Sequence, residues 1–179
     1  MIPKADLFAD LRSRIEAHVA VVTAVFLPLS DEQLTRQPDP KEWNILQCFD
    51  HLNLTHAYYR PKIEAALVQP RPAKAQAGLY KPSFWGRIYM HFAFNPKYSF
   101  PTVEEMTPET AVTRQTLYLY LQKQTELLQT LDQTGGVDLR RTPIPIAKGV
   151  KFNLGDVLKI LVYHDELHIG QAEGVLNIR

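Results

Sequence analysis

Two histidines, His164 and His168, stand four residues apart in the run His164-Asp165-Glu166-Leu167-His168. On a helix, residues at that spacing share a face one turn apart, so both imidazoles can reach a single metal ion. At ~100° per residue, Val157, Leu161, His164, His168, Gln171, Ala172 and Val175 fall on one stripe, which sets the pair inside an apolar face. An imidazole placed there needs a polar partner or a metal, because an unpaired buried polar group costs about 1–3 kcal/mol. Such a pair arises readily by chance among six histidines. A metal site therefore requires a third ligand from elsewhere. Without one, the pair reads as core histidines bonded to backbone or carboxylates.

The run resembles the zincin pattern H-E-x-x-H, in which a glutamate directly after the first histidine acts as general base. Here the shorter Asp165 holds that place, and Glu166 lies ~200° around the helix from His164. Protease chemistry through this motif is excluded, and Asp165 is expected to hydrogen-bond a neighbouring helix. The other histidines are His18, His51, His56 and His91. Periodicity turns His18 and His56 toward a core and leaves His51 ~100° from the centre of its helix's apolar face. Spacing does not choose the third ligand.

Four long helical segments must position these residues. The first spans about Pro3 to Phe26, with Leu7, Leu11, Ile15, His18, Val22 and Phe26 on one stripe. A turn at Pro38-Asp39-Pro40 precedes Asn44, an N-cap with Gln47 three residues on, and the second helix runs to about Val68. Pro61 inside it is expected to kink or split it. A long connection with Pro70, Pro72 and Pro82 follows. Thr107-Pro108 reads as the start of the third helix, which ends at Gly135-Gly136. The stretch Arg141 to Lys151 reads as a loop leading to Asn153, the cap of the fourth helix, with Asp156 three residues later. No strand pattern stands out. Residues 1–179 are expected to form a single all-α domain, a four-helix bundle with a long aromatic-rich connection between its second and third helices and room for a crossover.

That connection concentrates aromatics between Tyr80 and Phe100. Three roles suit it: a cap on one end of the bundle, a subunit interface, or a lid over a ligand pocket. A net charge of +1, with no clustered basic face, argues against nucleic acid. The most apolar run, Val19 to Leu29, is too short and interrupted to span a bilayer. No export signal precedes the first helix, and a lone cysteine, Cys48, on the apolar side of its helix fits a small core residue in a reducing cytoplasm.

The stretch Glu42-Trp43-Asn44-Ile45-Leu46-Gln47-Cys48-Phe49-Asp50-His51-Leu52, followed by His164-Asp165-Glu166-Leu167-His168-Ile169-Gly170-Gln171, resembles the DinB/YfiT-like superfamily of metal-dependent enzymes. The shared pattern is a tryptophan, a small capping residue and a His-Leu pair in the second helix, with H-x-x-x-H-x-x-Q in the last. The resemblance implies a four-helix bundle, a homodimer, and a divalent metal (Zn, Ni or Fe) held by His51, His164 and His168. Gln171 would then orient a ligand imidazole or a bound water, while His18 matches nothing in the pattern and reads as a buried histidine or a pocket residue.

Three neutral imidazoles leave a coordination position open, the mark of a catalytic rather than structural zinc site. Related members of the superfamily include thiol transferases. The expected activity is therefore activation of a low-molecular-weight thiol, or of water, for transfer to or hydrolysis of a small-molecule substrate. The basic residues Arg140, Arg141 and Lys148 either form a solvated loop or receive a thiol cofactor's acidic groups. The alternative to an enzyme is a non-catalytic metal- or ligand-binding bundle with a stress-related role.

Overall fold

Apolar residues at helical spacing make four long helices, and the stretches between them supply the rest of the architecture. The computed structural model describes residues 1–37, 39–68, 78–95, 97–98 and 102–177, so Pro38, Pro70, Pro72 and Phe100 lie outside the described residues. Strand β1 (Ile2–Pro3) leads into helix α1 (Lys4–Val21), which continues as a π-helical turn over Val22–Phe26. Short helix α2 (Asp31–Thr35) precedes α3 (Ile45–Val68). Strand β2 (Leu79–Tyr80), helix α4 (Phe84–Ala93) and a 3-10 turn (Glu104–Met106) occupy the long connection. Helix α5 (Gln115–Gln133), strands β3 (Pro143–Ala147) and β4 (Val150–Asn153) and helix α6 (Leu154–Asn177) complete the chain.

Cross-helix bonds fix the directions of the four long helices. Tyr163 donates to Asp10 at 3.0 Å and Arg14 pairs with Glu166, so α1 and α6 run parallel. Arg12 pairs with Asp132 at 2.7 Å while Lys4 donates to the Gly135 carbonyl, so α5 opposes α1. Asn53 donates to the Thr116 carbonyl at 3.0 Å and Arg60 pairs with Glu126 at 2.5 Å, so α3 and α5 are parallel. α3 packs against α5 and α6, and α1 packs against the same two helices, which puts α1 and α3 on a diagonal. The order is up, down, down, up. Parallel neighbours require the chain to return along the whole length of α3, ~36 Å for its 24 residues. The long connection exists to make that crossover.

The helices carrying the histidines start where their caps predict. Gln47 N–H donates to Asn44 Oδ1 at 2.9 Å, and Asn44 N–H donates to Gln47 Oε1 at 3.1 Å. Asn153 and Asp156 exchange the same pair of bonds at 2.8 and 3.0 Å. Pro61 does not split α3, which continues unbroken, with Tyr59 and Ile63 buried on either side of it.

Two expectations are corrected. The third long helix begins at Gln115 rather than at Thr107-Pro108. Glu109 N–H donates to Asp50, and Gln47 donates to the Glu109 carbonyl, so tertiary bonds hold this segment against the start of α3. The stretch before the last helix is an antiparallel hairpin, not a loop, with Ile144 opposite Phe152 and both buried. Pro143 and Pro145 alternate outward on β3, and Gly149 takes the positive φ of 79° that the tight turn demands.

The core falls into two apolar clusters. One gathers Leu7, Leu11, Ile15, Leu127, Leu131 and Leu161, and the other Val22, Phe26, Phe49, Leu52, Tyr120 and Ile169. Between them in sequence, each long helix carries a buried polar residue: His18 on α1, His56 on α3, Gln124 on α5 and Asp165 on α6. At the start of α6, Asp156 anchors the connection. Its carboxylate accepts from Tyr80 Oη at 2.8 Å, Ser83 N–H at 3.1 Å and Asn153 N–H at 3.0 Å. A Cβ on Gly86 would overlap that carboxylate, so glycine lets α4 approach it. Asp156→Ala orphans three donors at once and is expected to cost about 3–5 kcal/mol. A urea unfolding midpoint close to wild type would disprove that role.

Candidate metal centre

Asp165 sets the rotation of α6. It is fully buried, and its carboxylate accepts from His56 Nε2 at 3.0 Å and from Gln124 Nε2 at 2.8 Å. Held from α3 and α5 together, Asp165 turns inward, and His164 and His168 flank it on the side that meets the start of α3. The buried seam of α6 therefore passes through Asp165, Ile169 and Ala172, while Gln171 is exposed. Glu166 points the other way, into its pair with Arg14.

His51 meets the pair from α3. Its ring centroid lies 4.9 Å from that of His164 and 4.6 Å from that of His168, and the latter two are 4.5 Å apart. His51 Nε2 stands 3.3 Å from His164 Nε2, and one donor nitrogen from each of the three lies within 4.8 Å of the others. His51 Nδ1 is 2.6 Å from the Met106 carbonyl. A carbonyl only accepts, so Nδ1 carries the proton and Nε2 keeps its lone pair for the centre. His168 Nδ1 lies 2.9 Å from Gln171 Oε1, which leaves His168 Nε2 free in the same way. Trp43 packs over His51 and His168, with centroids at 4.8 and 5.8 Å.

These donors suit a divalent cation. Two nitrogens bound to a tetrahedral zinc at ~2.0–2.1 Å stand roughly 3.3–3.4 Å apart, and the His51–His164 separation is 3.3 Å. Burial pushes His51 below its ordinary pKa against the opposing pull of Met106, and pushes His164 well below, with His168 and His51 adding to the effect. His168 is lowered to about 4 by burial and by His51. Near neutral pH all three are unprotonated, the form that binds metals. Among the described residues, Nδ1 of His164 has no hydrogen-bond partner.

His18 is not part of this cluster. It is buried on α1, its Nδ1 also without a partner among the described residues, and it lines a separate cavity of about 480 Å³ with Arg14 and Glu166. His56 serves Asp165, and His91 is exposed on α4. Cys48 is buried in the second apolar cluster, where desolvation pushes its thiol up to about 12.

The three histidines form the floor of a cavity of about 600 Å³ walled by α4, the 3-10 turn and the hairpin. The aromatic segment thus contributes Trp85, Tyr89, Phe92 and Tyr98 to a pocket wall. Arg140, Arg141 and Lys148 do not line it. Arg140 instead borders a separate cavity of about 330 Å³ with Lys81 and Arg87. Sequence reasoning missed the Met106 carbonyl, which no side-chain pattern marks, and the hairpin wall, which the prolines of β3 disguised.

A four-helix bundle with histidines converging from two of its helices defines the class of protein. Residues 14–172 match the family model described as the DinB superfamily, and the chain belongs to that superfamily. Its fold is similar to that of YfiT from Bacillus subtilis, described as a probable metal-dependent hydrolase with an unusual four-helix bundle topology. The TM-score is 0.61 at 16% identity, covering 98% of this chain and 88% of that one. Among curated proteins, none matches. No helix among the described residues is long and apolar enough to cross a membrane.

Two predictions follow from the buried groups. Asp165→Asn gives one of the two donors an amide in place of an acceptor and is expected to cost about 3 kcal/mol, read as a lowered denaturation midpoint. The second concerns pH. An unfolded histidine titrates near 6.5, whereas burial holds His18, His51, His164 and His168 lower in the native state. The unfolded chain therefore takes up protons first, and metal-free protein should keep its full stability above pH ~6.5 and lose it as pH falls toward 4. Equal melting temperatures at pH 7.5 and 5 in the presence of a chelator would contradict this.

Proposed function

We propose that this protein is a metal-dependent enzyme in which Nε2 atoms of His51, His164 and His168 hold a divalent ion whose open position faces the cavity. The observation that carries the reading is the convergence of three neutral imidazoles, two of them oriented through Nδ1, at the floor of a cavity walled by aromatic side chains. The donor set admits Zn²⁺, Ni²⁺ or Fe²⁺. A cation held there supplies Lewis acidity, polarising a substrate group and bringing a water or low-molecular-weight thiol to its ionised form near neutral pH.

The chain's own residues bind, orient and exclude solvent. Met106 and Gln171 fix the tautomers of His51 and His168. Trp43 closes one side of the histidines, and aromatic side chains of α4 and the hairpin wall the opposite side. Two forms of the reaction each have one supporting observation. Hydrolysis is supported by the description of YfiT. Thiol transfer is supported by the cavity lining, which among the described residues holds no carboxylate or lysine to act as general base. A thiol, far more acidic than water, would depend less on such a base, because its proton would pass to solvent as it bound the ion.

Metal analysis of protein purified without a histidine tag tests the centre. A stoichiometric divalent ion is expected, lost from His51→Ala, His164→Ala and His168→Ala, with affinity lowered about tenfold in Gln171→Ala. Full retention by His51→Ala removes that ligand. In the loaded protein, turnover of a neutral ester or amide without thiol supports hydrolysis, and consumption of an electrophile only with added thiol supports transfer. Bound metal with neither activity leaves a binding protein.

A further inference from the structure

The lining of the histidine cavity is unusual in what it omits. Among the described residues, its lining includes no aspartate, glutamate, lysine or arginine, although charged residues make up 22% of the chain. Six aromatic rings, those of Tyr59, Trp85, Tyr89, Phe92, Tyr98 and Phe152, dominate the walls. Trp85 and Tyr98 remain 42% and 47% exposed, so apolar surface here is uncovered. Among the described lining residues, the polar side-chain groups are the histidines at the floor, the tyrosine hydroxyls, Thr102 and the Trp85 indole N–H. Burial raises the Tyr59 and Tyr89 hydroxyls above their ordinary pKa, which keeps them neutral.

The walls are also preformed. Tyr89 packs on Phe152 at 5.5 Å and Phe92 on Tyr98 at 5.0 Å, so rings from α4, the hairpin and the crossover brace one another. α4 is fixed at its start by the Ser83 cap, which accepts from Gly86 N–H at 3.0 Å, and by the approach of Gly86 to Asp156. A rigid aromatic wall loses little entropy when a ligand covers it.

We propose that this cavity takes a neutral, aromatic or alicyclic small molecule that presents a single polar group to the histidines. A volume of about 600 Å³ suits a drug-sized molecule. In the metal-free protein, a carboxylate or phosphate buried against these walls would lose its hydration with no cationic side chain among the described lining residues to replace it. Acid-bearing molecules are therefore poor occupants of the aromatic part of the cavity, which is left to the neutral ligand. The inference rests on the proposed metal centre only for the direction in which the ligand's polar group points.

The test compares N-phenyl-1-naphthylamine with 1-anilinonaphthalene-8-sulfonate, which shares its ring system and adds a sulfonate. Chelator-treated protein is expected to bind the neutral probe saturably and the anionic one at least tenfold more weakly. Trp85→Ala, at a half-exposed position tolerant of truncation, should weaken the neutral probe several-fold. Phe92→Lys, which places a cation in the wall, should weaken it at least tenfold and narrow or invert the preference. Both variants should retain wild-type metal content. Loading with Co²⁺ should quench the bound probe, reporting that it lies over the histidines.

Equal affinity for both probes, no binding of the neutral probe, or unchanged binding in both variants overturns the proposal. So does a dimer, seen by light scattering, that Phe92→Lys converts to monomer while probe binding falls with protein concentration, because a second copy would then be the occupant. Failure of Co²⁺ to bind, with probe selectivity intact, refutes the metal centre and leaves the ligand class standing. Bound Co²⁺ with no probe selectivity refutes only the ligand class.

Discussion

A carboxylate in the middle of a helical bundle must be paired, and that requirement fixes the rest of this molecule. Asp165 is out of reach of water and draws its two donors from two other helices. Any rotation of α6 would break both bonds and expose the charge to hydrocarbon, a penalty of several kcal/mol. His164 and His168 are its near neighbours on the same helix, so the bonds that satisfy Asp165 also aim the imidazoles. Apolar packing alone would allow α6 some freedom to turn, because leucines tolerate several arrangements. The polar residues between the two core clusters remove that freedom.

The up, down, down, up order has a second effect. Because α3 and α5 run the same way, the chain must cross the bundle between them, and it brings α4 and the 3-10 turn with it. The turn delivers the Met106 carbonyl to His51, and α4 delivers the aromatic wall. A simple meander with short loops would carry the same three histidines but nothing to enclose them. In this fold the connection is the part that turns a cluster of donors into a cavity.

Much of this was legible in the sequence. The caps at Asn44 and Asn153 and the apolar stripes located the helices, because both signals are local. The i,i+4 pair was legible for the same reason. Periodicity did not reach His51, which only the family resemblance supplied, since its helix is buried on more than one side: the 3-10 turn covers a face that periodicity assigns to solvent. The centre of the α6 seam was obscured because it is an aspartate, which any hydropathy pattern scores as surface. Thr107-Pro108 misled because a cap signal cannot register bonds that Asp50 and Gln47 make from another helix. The hairpin was hidden by prolines that sit on its outward face, where a missing N–H does no harm.

Cys48 closes the account of reactive groups. Its thiol is sealed in the core and stays protonated across the whole biological pH range. The chain thus offers no thiolate of its own to alkylating or oxidising agents. A catalyst whose substrates are electrophiles would otherwise risk self-inactivation with each encounter. Under the proposed thiol transfer, the reactive sulfur would arrive and depart with the solvent, and the buried cysteine would be spared.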